Sequence, residues 1–175
     1  MRTSAGSAAL ALALVTFACT GKRDGATPAD SASAASTAPP AGAGKFTLED
    51  FRRLRWIEGR WRGFQPDGKT FYEQYRFVND STILMRAFPD STFKTAGDSS
   101  RIEFRGGTVA NEGGTARWVA TRLDSVGIDF APHHGATNHF TWAKEDSTKW
   151  NATLRWTEKD GRAQTVLYAL HKYGR

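Results

Sequence analysis

The main signal in the sequence is a regular alternation of apolar and polar residues across most of residues 57–172. Phe71, Glu73, Tyr75 and Phe77 fall on one face of an extended segment, and the residues between them fall on the other. A period of two is typical of antiparallel strands with one face in a core and one in solvent. Similar runs lie near residues 57–64, 69–78, 81–88, 99–106, 115–123, 125–131, 138–145, 149–157 and 162–172.

Short turn signals separate these runs, among them Pro66-Asp67-Gly68, Gly106-Gly107 and Asp160-Gly161. Such pairs mark tight connections between neighbouring strands. Consecutive strands joined in this way form a meander, and a long meander is most stable when its two edges close on each other. The pattern therefore predicts an all-β fold, an antiparallel up-and-down β-barrel of about eight to ten strands.

A short helix is predicted before the first strand. Thr47 and Asp50 have the spacing of a capping box, and Leu48, Phe51 and Leu54 form a narrow apolar stripe on a helix over residues 47–54. A helix of this length is marginal by itself. We therefore expect it to dock its stripe on one end of the barrel.

The segment Leu54–Gly63, with the sequence LRWIEGRWRG, joins this helix to the first strand. It contains Trp56, Gly59 and Trp61, which we interpret as a packing motif. Gly59 would let the backbone pass close to a neighbour, and the Trp61 indole would plug the barrel end under the helix. Any ligand site would then lie within the barrel or toward its other end.

The first 19 residues have the pattern of a signal peptide with a lipidation cysteine. One early cation, Arg2, precedes an apolar run from Ala8 to Ala18 that ends at Cys19. The run is too short for a transmembrane helix, which needs about 20 apolar residues. Cys19 resembles the acylated cysteine of bacterial lipoproteins; the alternative is a signal peptide cleaved nearby and an incidental cysteine. In both cases we expect an exported protein without an intramolecular disulfide, because Cys19 is the only cysteine.

The chain is predicted to have three parts. Residues 1–19 form the signal segment, residues 20–45 form a disordered linker rich in Ala, Ser, Thr, Pro and Gly, and residues 46–175 form the barrel domain. The linker composition cannot bury enough apolar surface to order itself. We expect a lipoprotein of the cell envelope that faces the periplasm and is held to a membrane through Cys19.

The formal net charge of +6 changes this picture little, because most cations alternate with acids along the strands. A nucleic-acid partner is not expected for an exported domain. One arginine cluster could rest on anionic lipid headgroups, although solubility and local ion pairs are the favoured role. The cluster consists of Arg52, Arg53, Arg55, Arg60 and Arg62.

Together these elements resemble the calycin superfamily of lipocalins and fatty-acid-binding proteins, and more closely the bacterial exported lipocalin-like domains of the DUF6265/DUF1579 type. The resemblance implies a barrel that binds a small lipophilic molecule. The segments that carry it are Leu54-x-Trp56-x-x-Gly59-x-Trp61, the Tyr72-Glu73 pair, and Phe130-x-Pro132 leading to Phe140-x-Trp142.

Glu73 is the most informative candidate site residue, because its neighbours on the same strand face are aromatic. An inward carboxylate without a partner is costly and tends to keep its proton. We expect an inward arginine to pair with it, chosen from Arg60, Arg86 and Arg155. Glu73 would then either anchor the polar end of a ligand or form a structural ion pair across the barrel.

The four histidines suggest two other functions, metal binding and haem binding or catalysis. His133, His134 and His139 could suggest a metal, but adjacent histidines on a strand point to opposite faces, and no metal site is expected. His171 lies on the last strand, and small barrels similar to the nitrobindins hold haem through a histidine near the C-terminus. A haem-binding or enzymatic barrel that uses His171 or the His133–His139 turn is therefore the alternative hypothesis.

The positive indication of function is the aromatic content of six Trp, eleven Phe and four Tyr. No nucleophile or phosphate-binding motif is present, so we expect binding of an apolar or amphiphilic ligand without catalysis or a cofactor. A cavity lined by Glu73, Trp118 and Trp142 would support this function. A filled interior would favour a structural envelope protein. The predicted ligand-binding residues are Glu73, Tyr75, Trp118, Phe140, Trp142, Arg155 and Trp156.

Overall fold

The computed structural model of the protein describes residues 44–174. The predicted signal segment, Cys19 and the linker up to residue 43 lie outside the described residues. Within residues 44–174, no helix is long and apolar enough to cross a membrane.

The described part of the chain forms a closed barrel of ten antiparallel strands preceded by a short helical segment. Each strand pairs with its neighbours in the sequence, and the first strand pairs with the last, so the hydrogen-bonded order is β1-β10-β9-β8-β7-β6-β5-β4-β3-β2. The strands are β1 (Gly59–Phe64), β2 (Thr70–Asn79), β3 (Thr82–Phe88), β4 (Ser99–Arg105), β5 (Thr108–Gly113), β6 (Ala116–Leu123), β7 (Gly127–Pro132), β8 (His139–Lys144), β9 (Lys149–Thr157) and β10 (Ala163–Lys172).

The predicted up-and-down barrel is confirmed, but the predicted strand boundaries missed β5. This strand has the sequence Thr-Val-Ala-Asn-Glu-Gly and lies between two pairs of glycines. Its polar content and the flanking turn signals favoured a connection rather than a strand. It pairs with β4 and β6 and completes the meander.

The helical segment differs from the predicted single helix. The α-helix α1 spans Leu48–Arg52, and a 3₁₀-helix continues it over Arg53–Ile57. The capping box is confirmed, because the Thr47 hydroxyl accepts from the Asp50 backbone N–H and the Asp50 carboxylate accepts from the Thr47 backbone N–H. The tighter 3₁₀ turn carries the chain directly into β1.

This helical segment closes one end of the barrel, called here the closed end. Phe51, Leu54 and Ile57 are fully buried. The Phe51 ring lies 5.7 Å from that of Phe77 in β2 and 6.2 Å from that of Phe104 in β4. The opposite end, called the mouth, carries the connections at residues 65–69, 89–98, 114–115, 133–138 and 158–162.

Two glycines in β1 shape the wall of the barrel. Gly59 has a φ of +130°, a backbone conformation that side chains disfavour, at the step from the helical segment into the strand. At Gly63 a Cβ atom would lie 2.0 Å from the Phe71 ring. The Phe71 ring therefore packs directly on the Gly63 backbone and fills the space that a side chain would take.

Candidate functional site

The candidate site is the centre of the barrel around Glu73 in β2. Alternation in this strand turns Phe71, Glu73 and Tyr75 inward, and all three are buried. Glu73 pairs in register with Trp61 of β1 and Ala87 of β3. The carboxyl group is 1% exposed, so it lies in an interior that is otherwise almost entirely apolar.

The partner of Glu73 is Tyr75 rather than an arginine. The Tyr75 hydroxyl donates to Glu73 Oε2 at 2.7 Å, whereas Glu73 Oε1 is buried and has no hydrogen-bond partner among residues 44–174. The predicted pairing with an inward arginine is wrong. Alternation turns Arg60, Arg86 and Arg155 outward, and each is exposed on the barrel surface.

Burial controls the protonation of this pair. Loss of solvation raises the pKa of Glu73 from 4.5 to about 7, and the hydrogen bond from Tyr75 offsets part of the shift. Burial and the neighbouring carboxyl group raise the pKa of Tyr75 well above its usual value. Tyr75 therefore remains a neutral donor, and Glu73 is the group that exchanges a proton near neutral pH.

Two buried indoles enclose the Tyr75 ring. The Trp142 and Trp150 rings lie 5.6 and 5.8 Å from it, both edge-on, and 5.6 Å from each other. The Nε1 donors of Trp142 and Trp150 are buried and unpaired within the described residues. The centre of the barrel therefore holds one unpaired acceptor, Glu73 Oε1, and two unpaired indole donors.

A series of aromatic contacts links this centre to the mouth. Trp142 contacts Phe140 at 5.6 Å, and Phe140 contacts Trp118 at 5.5 Å. Phe130 stacks on Phe140 at 4.5 Å and also contacts Trp142 at 5.6 Å. Trp118 Nε1 donates to the carbonyl oxygen of Asn138 in the mouth connection. The predicted residues Trp118, Phe140 and Trp142 therefore form one continuous set with Tyr75.

The other two predicted ligand-binding residues lie apart from this set. Trp156 is half-buried near the mouth, and its indole N–H donates to Glu158 in the connection after β9. Arg155 is exposed on the outer face and donates to the Thr141 hydroxyl at 3.0 Å. Arg155 occupies the outward position between Leu154 and Trp156, so its assignment to an interior site is wrong.

The aromatic side chains fill the interior around Glu73 closely. Two cavities, with volumes of about 30 and 280 Å³, lie outside this centre. The smaller is lined by Gln74, Arg76, Leu84 and Arg86, and the larger by Gly59, Arg60, Lys172, Tyr173 and Gly174. The predicted cavity lined by Glu73, Trp118 and Trp142 is not one of them.

The four histidines do not converge on the interior. His171 shares a register position with the outward Arg62, and its ring packs on Phe64 with 4.9 Å between the ring centroids. It therefore faces away from the space where an enclosed haem would lie. His134 and His139 are exposed. Within residues 44–174, no group of three or more His, Cys, Asp or Glu side chains is placed to hold a metal ion.

The motif residues lie at the closed end. Trp61 is 1% exposed, and its indole donates to the carbonyl oxygen of Ile57 at 2.6 Å. The Trp56 and Trp61 rings pack on Trp150 at 5.9 and 6.0 Å, respectively. Trp150 was not among the predicted site residues, although it begins the alternation of β9.

A second buried polar residue was also missed. Asn111 in β5 is 7% exposed, and its Oδ1 has no hydrogen-bond partner within the described residues. It pairs in register with Ile102 and Trp118. The only sequence signal was that Asn111 shares the alternating face of Val109, in a strand that was itself not predicted.

No family model matches the chain, and no curated protein matches it. Among solved structures, the chain is similar to a redesigned β-barrel named b11L5F_LGL, with 13% identity, 71% of this chain and 96% of that chain covered, and a TM-score of 0.34. It is also similar to EF1p2_mFAP2b, solved bound to DFHBI, with 14% identity, 70% of this chain and 98% of that chain covered, and a TM-score of 0.37. The assignment of the barrel rests on the hydrogen-bonded strand order of this chain rather than on either likeness.

Proposed function

We propose that this barrel binds a small amphiphilic molecule without catalysis, with the polar end of the ligand at Glu73. The proposal rests on the Oε1 atom of the Glu73 carboxyl group, which is buried and has no hydrogen-bond partner among residues 44–174. An unpaired buried polar group costs about 1–3 kcal/mol. A ligand that donates a hydrogen bond to this oxygen recovers part of that free energy.

The pKa of Glu73 indicates which polar group would bind best. Because the pKa lies at about 7, the carboxyl group is poised between its neutral and charged forms near neutral pH. A ligand ammonium group favours the charged carboxylate and lowers its pKa. A ligand hydroxyl can donate to either form, whereas a ligand carboxylate is repelled by the charged one. We therefore expect the affinity order amine, alcohol, carboxylate.

The ligand would reach Glu73 from the mouth. The closed end is sealed by Trp61 and the helical segment, whereas the inward residues Leu154, Val166 and Tyr168 near the mouth are only half-buried. The apolar part of the ligand would lie on the aromatic series that begins at Trp118. Since aromatic rings fill the space around Glu73, binding requires these rings to move apart.

The proposal extends to the setting of the barrel. We infer an exported lipoprotein of the cell envelope, anchored to a membrane through Cys19 and similar to the DUF6265/DUF1579 type of calycin domain. Its support is the apolar run before the single cysteine and the Ala- and Ser-rich composition of residues 20–45. An anchored barrel of this kind would take up an amphiphile close to the membrane surface.

The binding test uses three ligands that share one alkyl chain and differ in the polar end: dodecylamine, dodecanol and dodecanoate. Each is titrated into the full chain while tryptophan emission is followed, because indoles surround the proposed site. We expect Glu73→Gln to weaken dodecylamine binding about tenfold, since it removes a charge-assisted hydrogen bond. The matched control, Glu112→Gln, changes an exposed carboxylate and should leave all three affinities unchanged.

A second function is favoured by the close packing of the interior, in which rings of Tyr75, Trp142 and Trp150 lie within 5.6–5.8 Å of one another. On this hypothesis the barrel is a filled structural protein of the envelope. It predicts that none of the three amphiphiles changes the emission, and that native mass spectrometry of protein isolated from its own envelope shows only the bare chain. Those two results together would exclude the binding function.

A further inference from the structure

The outer wall of β1, β2 and β3 carries a group of exposed arginines that the interior site does not use. Arg60, Gln74 and Arg86 face outward in one cross-strand row, and Arg76 lies one outward position further along β2. Neighbouring strands are about 4.8 Å apart, so Arg60 and Arg86 are separated by about 10 Å at the backbone. Arg60, Arg76 and Arg86 are called here the arginine wall.

The arginine wall lacks the ion pairs that neutralise other arginines of this protein. Within residues 44–174, no carboxylate lies within 4.0 Å of the guanidinium groups of Arg60, Arg76 or Arg86. Elsewhere, Arg52 pairs with Asp80 at 2.7 Å and Arg122 pairs with Asp129 at 2.7 Å. The wall is therefore a concentration of positive charge without internal compensation.

Two features give the wall a defined shape. Arg76 and Arg86 flank a hollow of about 30 Å³, which Gln74 and Leu84 complete. The Arg60 guanidinium stacks over the Phe93 ring at 4.8 Å from its centroid. Phe93 is itself buried against Tyr72 in a loop where its φ is +54°. The Phe93 ring therefore supports the Arg60 guanidinium on the outer face of the barrel.

We propose that the arginine wall docks on an anionic membrane surface, with guanidinium groups on lipid phosphates. A guanidinium offers five donors in a planar fork that matches phosphate oxygens. The hollow has a volume of only about 30 Å³, and the three arginines spread over about 10 Å. That spacing suits an array of headgroups rather than one enclosed phosphate ion. This surface shares only Arg60 with the predicted arginine cluster, in which Arg52, Arg53 and Arg55 are ion-paired.

The proposal is tested by sedimentation of the full chain with vesicles. Vesicles of phosphatidylcholine with about one-third phosphatidylglycerol present the anionic surface, and pure phosphatidylcholine vesicles lack it. We expect the double variant Arg76→Gln with Arg86→Gln to lose about tenfold in partitioning to the anionic vesicles. The apolar run near residues 8–18 is common to every variant, so the difference between the two vesicle types isolates the charge effect.

The matched control is Arg105→Gln with Arg162→Gln, which lowers the net charge equally at exposed arginines that pair with Glu103 and Asp160. This control should partition nearly as the parent chain does. An equal loss in both double variants, or equal binding to both vesicle types, would overturn the docking surface. If soluble phosphate released the chain more strongly than chloride at the same ionic strength, the wall would be a phosphate-ion site and the membrane proposal would fail.

Discussion

The two ends of the barrel are built from the same alternating pattern but differ in how completely their inward side chains are buried. At the closed end, Trp61 and Trp150 are 1% and 0% exposed. Near the mouth, Leu154, Trp156 and Tyr168 occupy equivalent inward positions and are only half-buried. The difference arises from the helical segment, which covers one end only. Alternation determines which face of a strand turns inward, and on β9 the cap determines which end of that face becomes core. Trp118 and Phe140, toward the mouth, are buried by aromatic contacts instead.

The comparison predicts that removing either of two tryptophans of the same strand will lower the free energy of unfolding by very different amounts. Trp150→Ala should destabilise the protein by about 3–5 kcal/mol, since it removes a fully buried ring that contacts four other aromatic rings. Trp156→Ala should cost less than about 1.5 kcal/mol because that ring is half-exposed. Urea unfolding followed by circular dichroism measures both values. Equal losses would mean that the mouth is packed as firmly as the closed end.

A pH titration tests the polar centre between the two ends. Burial keeps the Glu73 pKa at about 7 in the folded protein against 4.5 in the reference state. The folded state therefore holds a proton that the unfolded state releases between these pH values. Proton binding at Glu73 therefore stabilises the folded state relative to the unfolded state. This stabilisation is fully present below pH 4.5 and is lost as the pH rises through 7. Its full size is about 3 kcal/mol.

Glu73→Gln should remove this pH dependence, because the amide cannot lose a proton. Glu112→Gln serves as the control and should retain the dependence of the parent chain. The free energy of unfolding is measured in urea at several pH values between about 4 and 9. A parent chain whose stability does not fall across this range would show that water or another group solvates the carboxylate.

The smallest expected effect concerns the cap at the closed end. Thr47→Ala removes the hydroxyl that accepts from the Asp50 backbone N–H and should cost about 1 kcal/mol. It should also increase acrylamide quenching of the tryptophans at that end, since the helix covers them. Thr95→Ala, in the exposed connection before β4, should change neither quantity. If quenching is unaffected by Thr47→Ala, the helical segment is not the cover of the closed end.

The barrel was predictable because its strands alternate regularly and its turns carry glycine or proline signals. Glu73 was correctly placed inward by its aromatic neighbours, and the capping box of Thr47 and Asp50 followed from spacing alone. Its partner was missed because Tyr75 was regarded as a lining residue rather than a donor. Arg155 was misplaced although its own strand already turned Leu154 and Trp156 to the opposite face.

Other properties of the site depend on packing and have no local signature in the sequence. Whether the aromatic rings leave a cavity depends on the rotamers that ten strands impose on one another at once. The unpaired indoles of Trp142 and Trp150 follow from the same packing. Asn111 could have been recognised only after β5 had been identified as a strand.

The barrel can close only after β10 has paired with β1. Lys172 Nζ donates to the carbonyl oxygen of Glu58, 114 residues earlier in the chain. Contacts of such long sequence separation carry a large loop-closure entropy and slow the folding of β-proteins. Before β10 pairs with them, β1 and β9 both present open strand edges that can pair with other chains. An intermediate that still lacks the β1–β10 pairing is therefore expected to aggregate more readily than the closed barrel.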